Sequence, residues 1–284
     1  DDIRVLLRLR RRPVSRFKIA AAAIALLPVA AFAQAKDEIV FAHLKPVIVV
    51  TATGAEQRPQ ETGQAITILG RFEIEARQTT AVSDLLSTTA GVTVSRNGGI
   101  GQPTAVRIRG AEGDQTLVLL DGVRMNDPSA VGGGFDFGNL LRGNIDRIEV
   151  LRGPNSVPWG SQALGGVVNI VTARPTEGFG AALDAEYGYS NSKKLTARVA
   201  GGTGPFRASL GGGWFEDDGI SAYKFGTEHD GYRQYAANGR VEIDLSPDVT
   251  IDLRGNYADS RVGFDGFPPP TFSFADTTGF STTK

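Results

Sequence analysis

The sequence predicts a mixed α/β domain followed by the first strands of a transmembrane antiparallel β-barrel. Three observations support this fold class. Residues 64–175 contain short apolar runs, two helical segments and connections rich in glycine. From about residue 177 onward, apolar and polar residues alternate with a period of two. After residue 33 no apolar run is long enough to cross a bilayer as a helix, so insertion into a membrane would require a closed barrel.

The composition excludes several classes of protein. Glycine accounts for 36 of 284 residues, far above an average near ~7%, which argues against a compact helical protein. The absence of cysteine excludes a disulfide scaffold, a thiol nucleophile and a cysteine-ligated metal. Residues 1–18 carry seven basic and two acidic side chains, whereas the remainder carries 23 basic and 29 acidic ones. This acidic main part argues against a nucleic-acid partner.

Residues 1–33 have the pattern of a secretory signal peptide. The basic stretch is followed by fifteen apolar residues, 19–33, which contain Pro28 and end on Ala31, Phe32 and Ala33. This run is too short for a transmembrane helix, and its small terminal residues are typical of a cleavage site. A buried amphipathic helix would need polar residues at helical spacing, and residues 19–33 have none. We therefore expect export, with cleavage after Ala33.

Residues 34–60 form an N-terminal segment that contains one short β-branched run. The run consists of Val47, Ile48, Val49, Val50, Thr51, Ala52 and Thr53, and a polar stretch follows it. Such a run is either the first strand of a domain or an exposed segment that pairs with the sheet edge of another protein.

Residues 61–175 form the predicted mixed domain. Strands are predicted at residues 65–69, 92–95, 105–109, 116–121, 145–152 and 167–172. Helices are predicted at residues 72–78 and 81–88. In the second helix Val82, Leu85 and Leu86 share one face, and Thr79 or Thr80 is the expected cap.

Residues 176–284 are predicted to form five strands of about ten residues, at 183–189, 195–199, 206–210, 240–245 and 249–257. A soluble antiparallel sandwich shows the same alternation. The barrel is favoured because short connections (190–192, 203–204 and 246–247) alternate with long ones (217–233 and 259–274), as periplasmic turns and external loops do. Five strands cannot close a barrel, so we expect the chain to be a fragment.

A series of motifs in residues 61–175 resembles the plug of TonB-dependent outer-membrane receptors. The motifs follow in the family's order at residues 74–76, 82–86, 91–94, 106–110, 118–127, 148–154 and 160–172. Trp159 stands where the family usually has tyrosine. Within the family the chain most resembles the cobalamin (BtuB-like) transporters.

The resemblance implies a complete protein with a plugged barrel of 22 strands in the outer membrane. Residues 47–53 would be its TonB box, which pairs as an added strand with the C-terminal domain of TonB, part of the inner-membrane energy-transducing complex. An ordinary first strand of the plug is the alternative interpretation of this segment.

The resemblance also suggests roles for individual residues in the plug. Arg107, Arg109 and Arg152 would anchor the plug by pairing with carboxylates of the barrel wall, unless they form a solvated strand face. Five residues in loop apices would contact the substrate, unless these apices are merely turns: Asn97, Gly98, Gly99, Asn126 and Asp127.

Calcium is the only bound ion that we expect, and no other cofactor. In the cobalamin transporters, acidic residues of early external loops bind calcium, which prefers several oxygen ligands. The corresponding candidates here are Asp217, Asp218, Asp230 and Asp265. Acidic loops are also commonly just solvated.

The resulting functional expectation is TonB-dependent active transport of a scarce nutrient complex, with cobalamin favoured and a ferric siderophore as the alternative. Outer-membrane lipid is an expected partner. A passive porin would have neither TonB box nor plug, and an outer-membrane hydrolase would need an acid/base cluster on the barrel wall. The only histidines, His43 and His229, lie in a linker and a loop, so we expect no enzymatic activity.

Overall fold

The structure, a computed structural model, describes residues 54, 57–126, 131–140, 144–175 and 177–283. The expected signal peptide and the run 47–53 lie outside the described residues. Within the described part of the chain, no helix is both long and apolar enough to span a membrane.

The mixed domain is built on a five-stranded sheet with the order β1-β6-β7-β4-β5. β4 and β7 are parallel, and the other neighbours are antiparallel. A separate hairpin pairs β2 with β3. The strands are β1 (Ala65–Gly70), β2 (Val92–Arg96), β3 (Thr104–Ile108), β4 (Thr116–Leu120), β5 (Val123–Arg124), β6 (Ile145–Arg152) and β7 (Gly166–Thr172), and the helices are α1 (Arg71–Ala76), α2 (Val82–Leu86) and α3 (Ser156–Trp159).

The sheet of this domain is covered on both faces. Val118 of β4 packs in the larger core with α2, the hairpin and β6, whereas Leu117 and Leu119 pack in a smaller cluster on the other face. A strand buried on both faces is apolar throughout, which explains the unbroken run in β4. The expected threonine cap is wrong, because Ala81 occupies the cap position of α2 and makes no side-chain bond to it.

Residues 178–283 form a second, long sheet in which each strand pairs antiparallel with its neighbours in the chain. Its strands are β8 (Gly178–Tyr187), β9 (Lys193–Thr203), β10 (Phe206–Asp217), β11 (Tyr232–Ser246), β12 (Val249–Gly266) and β13 (Ala275–Thr283). The described sheet thus has six strands of 9 to 18 residues, not five of about ten. β13 escaped prediction because its sequence is mostly small and polar.

The connection at residues 190–192 lies at the end of the sheet opposite to the one predicted for it. The connection 188–192 stands beside the long connection 218–231, where the amide of Asp218 donates to the carbonyl of Ser190 at 3.0 Å and Asn191 Nδ2 donates to Asp218 at 3.1 Å. In an antiparallel meander every second connection lies at the same end. Residues 190–192 therefore belong with the long connections, and only the other two short turns lie at the far end.

The long sheet exposes its apolar face and buries its polar one. Leu183, Leu210 and Leu253 are 71%, 59% and 60% exposed, whereas Gln234 and Ser260 on the other face are 2% and 3% exposed against the mixed domain. A soluble sandwich would bury the apolar face instead. The arrangement is that of a membrane barrel wall, with apolar side chains outward and polar side chains inward, which confirms the predicted fold class.

The outward band also has the height of a bilayer core. Along β10 it runs from Phe206 to Trp214, with Leu210 at its centre. Eight steps of about 3.4 Å give roughly 27 Å along the strand. Tilting the strand by about 40° leaves roughly 20 Å, close to the ~25 Å apolar band of outer-membrane barrels.

Replacement of Leu210 by arginine is predicted to destabilise the full-length protein by about 2–4 kcal/mol, because the charge would lie near the bilayer midplane. Leu245→Arg, on the same face but beside the turn at 247–248, is the matched control and should cost at most about 1 kcal/mol. Urea unfolding in lipid vesicles measures both values. Equal costs at the two positions would contradict a lipid-facing band.

Candidate functional site

The contact between the mixed domain and the long sheet centres on Asn139. This residue ends a short 3-10 turn, Phe137–Asn139, which Asp136 caps by accepting from the amide of Gly138 at 2.9 Å. The carbonyl of Asn139 accepts a hydrogen bond from Gln234 Nε2 at 2.6 Å. Its side-chain oxygen accepts from the hydroxyl of Ser260 at 2.8 Å, and from that of Tyr232 at 3.3 Å. One residue thereby satisfies three buried polar groups of the sheet.

A second contact is formed by the tip of the β2–β3 hairpin. Ile100 packs against a small cluster on the sheet that contains Tyr232. Gly101 has φ +86°, and a Cβ there would overlap the ring of Tyr232, so only glycine fits. Gln102 Nε2 donates to the carbonyl of Gly263 at 2.8 Å. The tip is therefore fixed at the end of the sheet that carries the long connections.

Nearer the other end of the sheet, Arg254 holds the mixed domain through a tight turn. Asp121 and Gly122 have φ of 52° and 86° between β4 and β5, as the two-residue Asp-Gly hairpin requires. Arg254 Nη1 donates to the carbonyl of Asp121 at 2.6 Å. The side chain of Asp121 accepts from the amide and hydroxyl of Thr172, at 2.9 and 2.7 Å, which links the turn to the last strand of the domain.

The three arginines predicted to act as anchors have their described partners in the mixed domain itself, and their pairing with carboxylates of the barrel wall stays a prediction. Arg107 Nε lies 3.3 Å from Glu112, and Arg152 donates to the carbonyl of Ala90 and the hydroxyl of Thr67. Arg109 lies over Gly91 and Gly153, and among described residues it has no ion pair.

The anchoring groups come from inward-facing polar positions of the period-two strands, above all Gln234 and Arg254. Gln234 and Arg254 do not disturb the apolar alternation of their strands, because the residues before and after each of them face outward. An inward polar residue with a long side chain was the available sequence signal.

The predicted substrate contacts have different outcomes. Asn126 uses its side chain inside the domain, accepting from the amide of Val118 at 2.9 Å and donating to the carbonyls of Thr116 and Gly133. Its predicted contact with a substrate stays a prediction. Asp127 lies outside the described residues. The apex formed by Asn97, Gly98 and Gly99 is exposed and belongs to the hairpin tip that Gln102 holds at Gly263. Its contact with a substrate stays a prediction.

The long connections carry a cluster of aromatic rings. Tyr223 stacks edgewise on Phe225 and Phe274 with centroids 5.9 Å apart, and Phe267 lies 5.4 Å from Phe274. Phe225 is 73% exposed. Contiguous exposed aromatic rings mark binding surfaces, because they offer a large contact area at low entropic cost.

Acidic side chains form a group beside these rings, but not the group predicted for calcium. Carboxylate oxygens of Glu228, Asp265 and Asp276 lie within 4.8 Å of one another. Asp230 adjoins them, and its carboxylate accepts from the amide of Ala222 at 2.8 Å. Burial and the neighbouring carboxylates raise the pKa of Glu228, and burial likewise raises the pKa of Asp230.

The other two predicted calcium ligands have different partners. Asp217 accepts from the amide of Gly219 at 2.7 Å, and Asp218 accepts from Asn191. Asp276 was missed because it lies in the unpredicted strand β13. Three carboxylates at these distances suit a calcium ion chemically.

Residues 58–167 match the model of a known family, described as the TonB-dependent Receptor Plug Domain. The mixed domain therefore resembles the plug of TonB-dependent receptors, and we call it the plug. The long sheet that covers this plug is accordingly called the wall.

Solved structures of outer-membrane receptors resemble the plug and wall together. The ferripyoverdine receptor of Pseudomonas aeruginosa is 22% identical with a TM-score of 0.65, over 81% of this chain and 30% of that chain. A ferric enterobactin receptor mutant, PfeA, from the same organism is 24% identical with a TM-score of 0.58, over 71% and 34%. The alcaligin receptor FauA of Bordetella pertussis is 22% identical with a TM-score of 0.61, over 77% and 36%. The chain thus matches about a third of the length of these receptors.

Replacement of Asn139 by alanine is predicted to loosen the plug from the wall. The hydroxyls of Tyr232 and Ser260 would lose their buried acceptor, which costs about 1–3 kcal/mol. Faster trypsin cleavage of the plug in the folded full-length protein measures the effect. Asn97→Ala, at the exposed apex, is the matched control and should leave cleavage unchanged, and an identical rate for both variants would refute the role of Asn139.

The acidic group predicts a pH dependence of the connection 218–231. Because the pKa values of Glu228 and Asp230 are raised, their protonation favours the folded arrangement. This contribution is complete below the ordinary carboxylate pKa and is lost as the pH rises through the raised values. Tryptic cleavage at Lys224 should therefore be slower at mildly acidic than at neutral pH, and Glu228→Gln should reduce the difference.

Calcium is predicted to slow tryptic cleavage at Lys224 at neutral pH in the wild type. The bound ion would neutralise the carboxylates that have lost their protons at this pH. A chelator should reverse the protection. Asp265→Asn should abolish it, whereas Asp218→Asn, outside the group, should retain it. Cleavage that is indifferent to calcium and chelator would remove calcium from this group.

Proposed function

We propose that this chain belongs to an outer-membrane receptor that imports a ferric siderophore with energy supplied through TonB. The observation that carries the proposal is a TonB-dependent receptor plug seated against a wall whose outer face is apolar. A passive porin has no use for a plug. Transport of this kind requires no catalytic residue.

The ligand would be captured at the end that bears the long connections. Their aromatic rings, with the exposed apex 97–99 of the plug beside them, provide an apolar and adaptable surface there. The glycines of the apex allow the backbone to approach a bulky ligand closely.

Release into the periplasm requires the plug to move relative to the wall. The contacts at Asn139 and Arg254 are mainly hydrogen bonds, and water can replace these at a net cost of about 1 kcal/mol each. Water cannot replace the apolar contacts in the core of the plug in this way. A force on the plug would therefore shift its contact with the wall before it unfolds the core.

We infer that residues 47–53 transmit this force as the TonB box. An extended β-branched segment pairs with a sheet edge through its backbone, so it suits a partner that adds a strand. The inner-membrane energy-transducing complex would pull through TonB. We also propose that residues 1–33 direct export and are removed after Ala33, placing the wall in outer-membrane lipid.

A ferric siderophore replaces cobalamin as the favoured ligand. The three receptors reported above bear the names of ferripyoverdine, ferric enterobactin and alcaligin, and these names favour a siderophore. Uptake of radiolabelled ferric siderophores and of cobalamin by cells that carry the full-length receptor, with and without TonB, separates the two ligands. Cobalamin uptake alone would overturn the siderophore assignment.

Val49→Pro is predicted to reduce uptake to the level of cells that lack TonB while ligand binding stays unchanged. Proline removes a backbone donor and fixes φ, which prevents strand pairing. Val49→Ala keeps the donor and serves as the control, with uptake near wild type. Unimpaired uptake by the proline variant would show that residues 47–53 are an ordinary strand.

A further inference from the structure

β11 and β12 place arginines directly opposite each other at two positions. Arg240 pairs in register with Arg254, and Arg233 pairs in register with Arg261. Side chains directly opposite in an antiparallel pair have Cβ atoms about 4.5–5.5 Å apart, and like charges there are destabilising. A negative group between or beside the two guanidinium groups of each pair would offset this repulsion.

The inner pair has its negative groups within the wall. Arg240 Nη2 lies 2.7 Å from Asp252 and 2.8 Å from Glu242. Arg254 also bonds to Asp252. One carboxylate is thus shared by both arginines, which offsets their repulsion.

The outer pair has no such partner in the described part of the chain. Arg233 and Arg261 are both exposed, and no described carboxylate lies within 4.0 Å of either guanidinium group. Glu216 is opposite Arg233 on the other side, yet it forms no ion pair with it among the described residues. The guanidinium carbon of Arg261 lies 3.7 Å from the ring centroid of Phe280. This stacking fixes the plane of the group and leaves its N–H edge free to donate.

The position of the outer pair identifies the class of anion. Both arginines face outward, and Arg233 lies two residues beyond Tyr235, which is opposite Trp214. Outward aromatic residues occupy the boundary between hydrocarbon and headgroups. The arginines lie beyond that boundary, at the end of the wall that bears the long connections. This is the level of the lipid headgroups in the outer leaflet.

We propose that Arg233 and Arg261 bind a phosphate group of an outer-leaflet lipid. Guanidinium groups bind phosphate through two parallel hydrogen bonds, and a phosphate monoester carries up to about two negative charges. One phosphate therefore supplies the charge for both arginines, as Asp252 and Glu242 do for the inner pair. The assignment rests on the outer-membrane orientation proposed above and is independent of the ligand transported.

The test uses the full-length protein in detergent, titrated with bisphosphorylated lipid A and followed by native mass spectrometry. The double variant Arg233→Gln/Arg261→Gln should weaken lipid binding by about tenfold or more, given the attraction of each basic residue to a phosphate surface. Lysine at both positions should retain part of the affinity, because charge remains but the bidentate geometry is lost. Lipid A without its phosphates should bind weakly to the wild type.

Arg77→Gln is the matched control, since it removes the same charge from the plug, where Arg77 pairs with Glu73 at 2.6 Å. It should leave lipid binding unchanged. A change of less than twofold in the double variant, or equal binding of the dephosphorylated lipid, would overturn the proposal. Complete displacement of the lipid by inorganic phosphate would overturn the lipid assignment in favour of a free-anion site. Siderophore uptake by the double variant is measured separately, and its loss or retention concerns the transport proposal alone.

Discussion

The polar inner face of the wall is the constraint on which the rest of the structure depends. A membrane barrel turns its apolar side chains toward lipid, so the groups that point inward must be solvated or paired. Here Gln234, Ser260 and Arg254 are paired by backbone and side-chain oxygens of the plug. The plug therefore completes the hydrogen bonding of the wall, and in the transport that we propose the same bonds would have to shift.

Most of the architecture could be predicted from the sequence. The apolar pattern placed the central strands of the plug as unbroken runs, because these strands are buried on both faces. The same pattern placed the outward face of the wall, where apolar and polar residues alternate with a period of two. It failed at β13, where small polar residues carry no such period. It failed also at the plug–wall contact, because which inward side chain meets which loop depends on two distant segments. Asn139 lies in an irregular turn, and nothing in its own neighbourhood indicates three partners 93 to 121 residues away.

The candidate site shows the same division between local and distant information. Acidic residues near the long connections were evident in the sequence, but which of them converge was not. Asp217 and Asp218 lie side by side in the chain and turn to separate partners, whereas Glu228, Asp265 and Asp276 come from three segments. Local sequence thus indicates that the surface is acidic, whereas the strand register determines which acidic residues lie close together.

The strand order of the plug has a mechanical consequence. Among the described residues, β1 is an edge strand that pairs only with β6, over the six residues Ala65–Gly70, and no described strand precedes it. β7 lies inside the sheet, is buried along its whole length, and leads within six residues into the first strand of the wall. Tension applied ahead of β1 would detach this edge strand first and meet β7 last. In the transport that we propose, the plug would thus lengthen at its N-terminal end while its other end stays tethered to the wall.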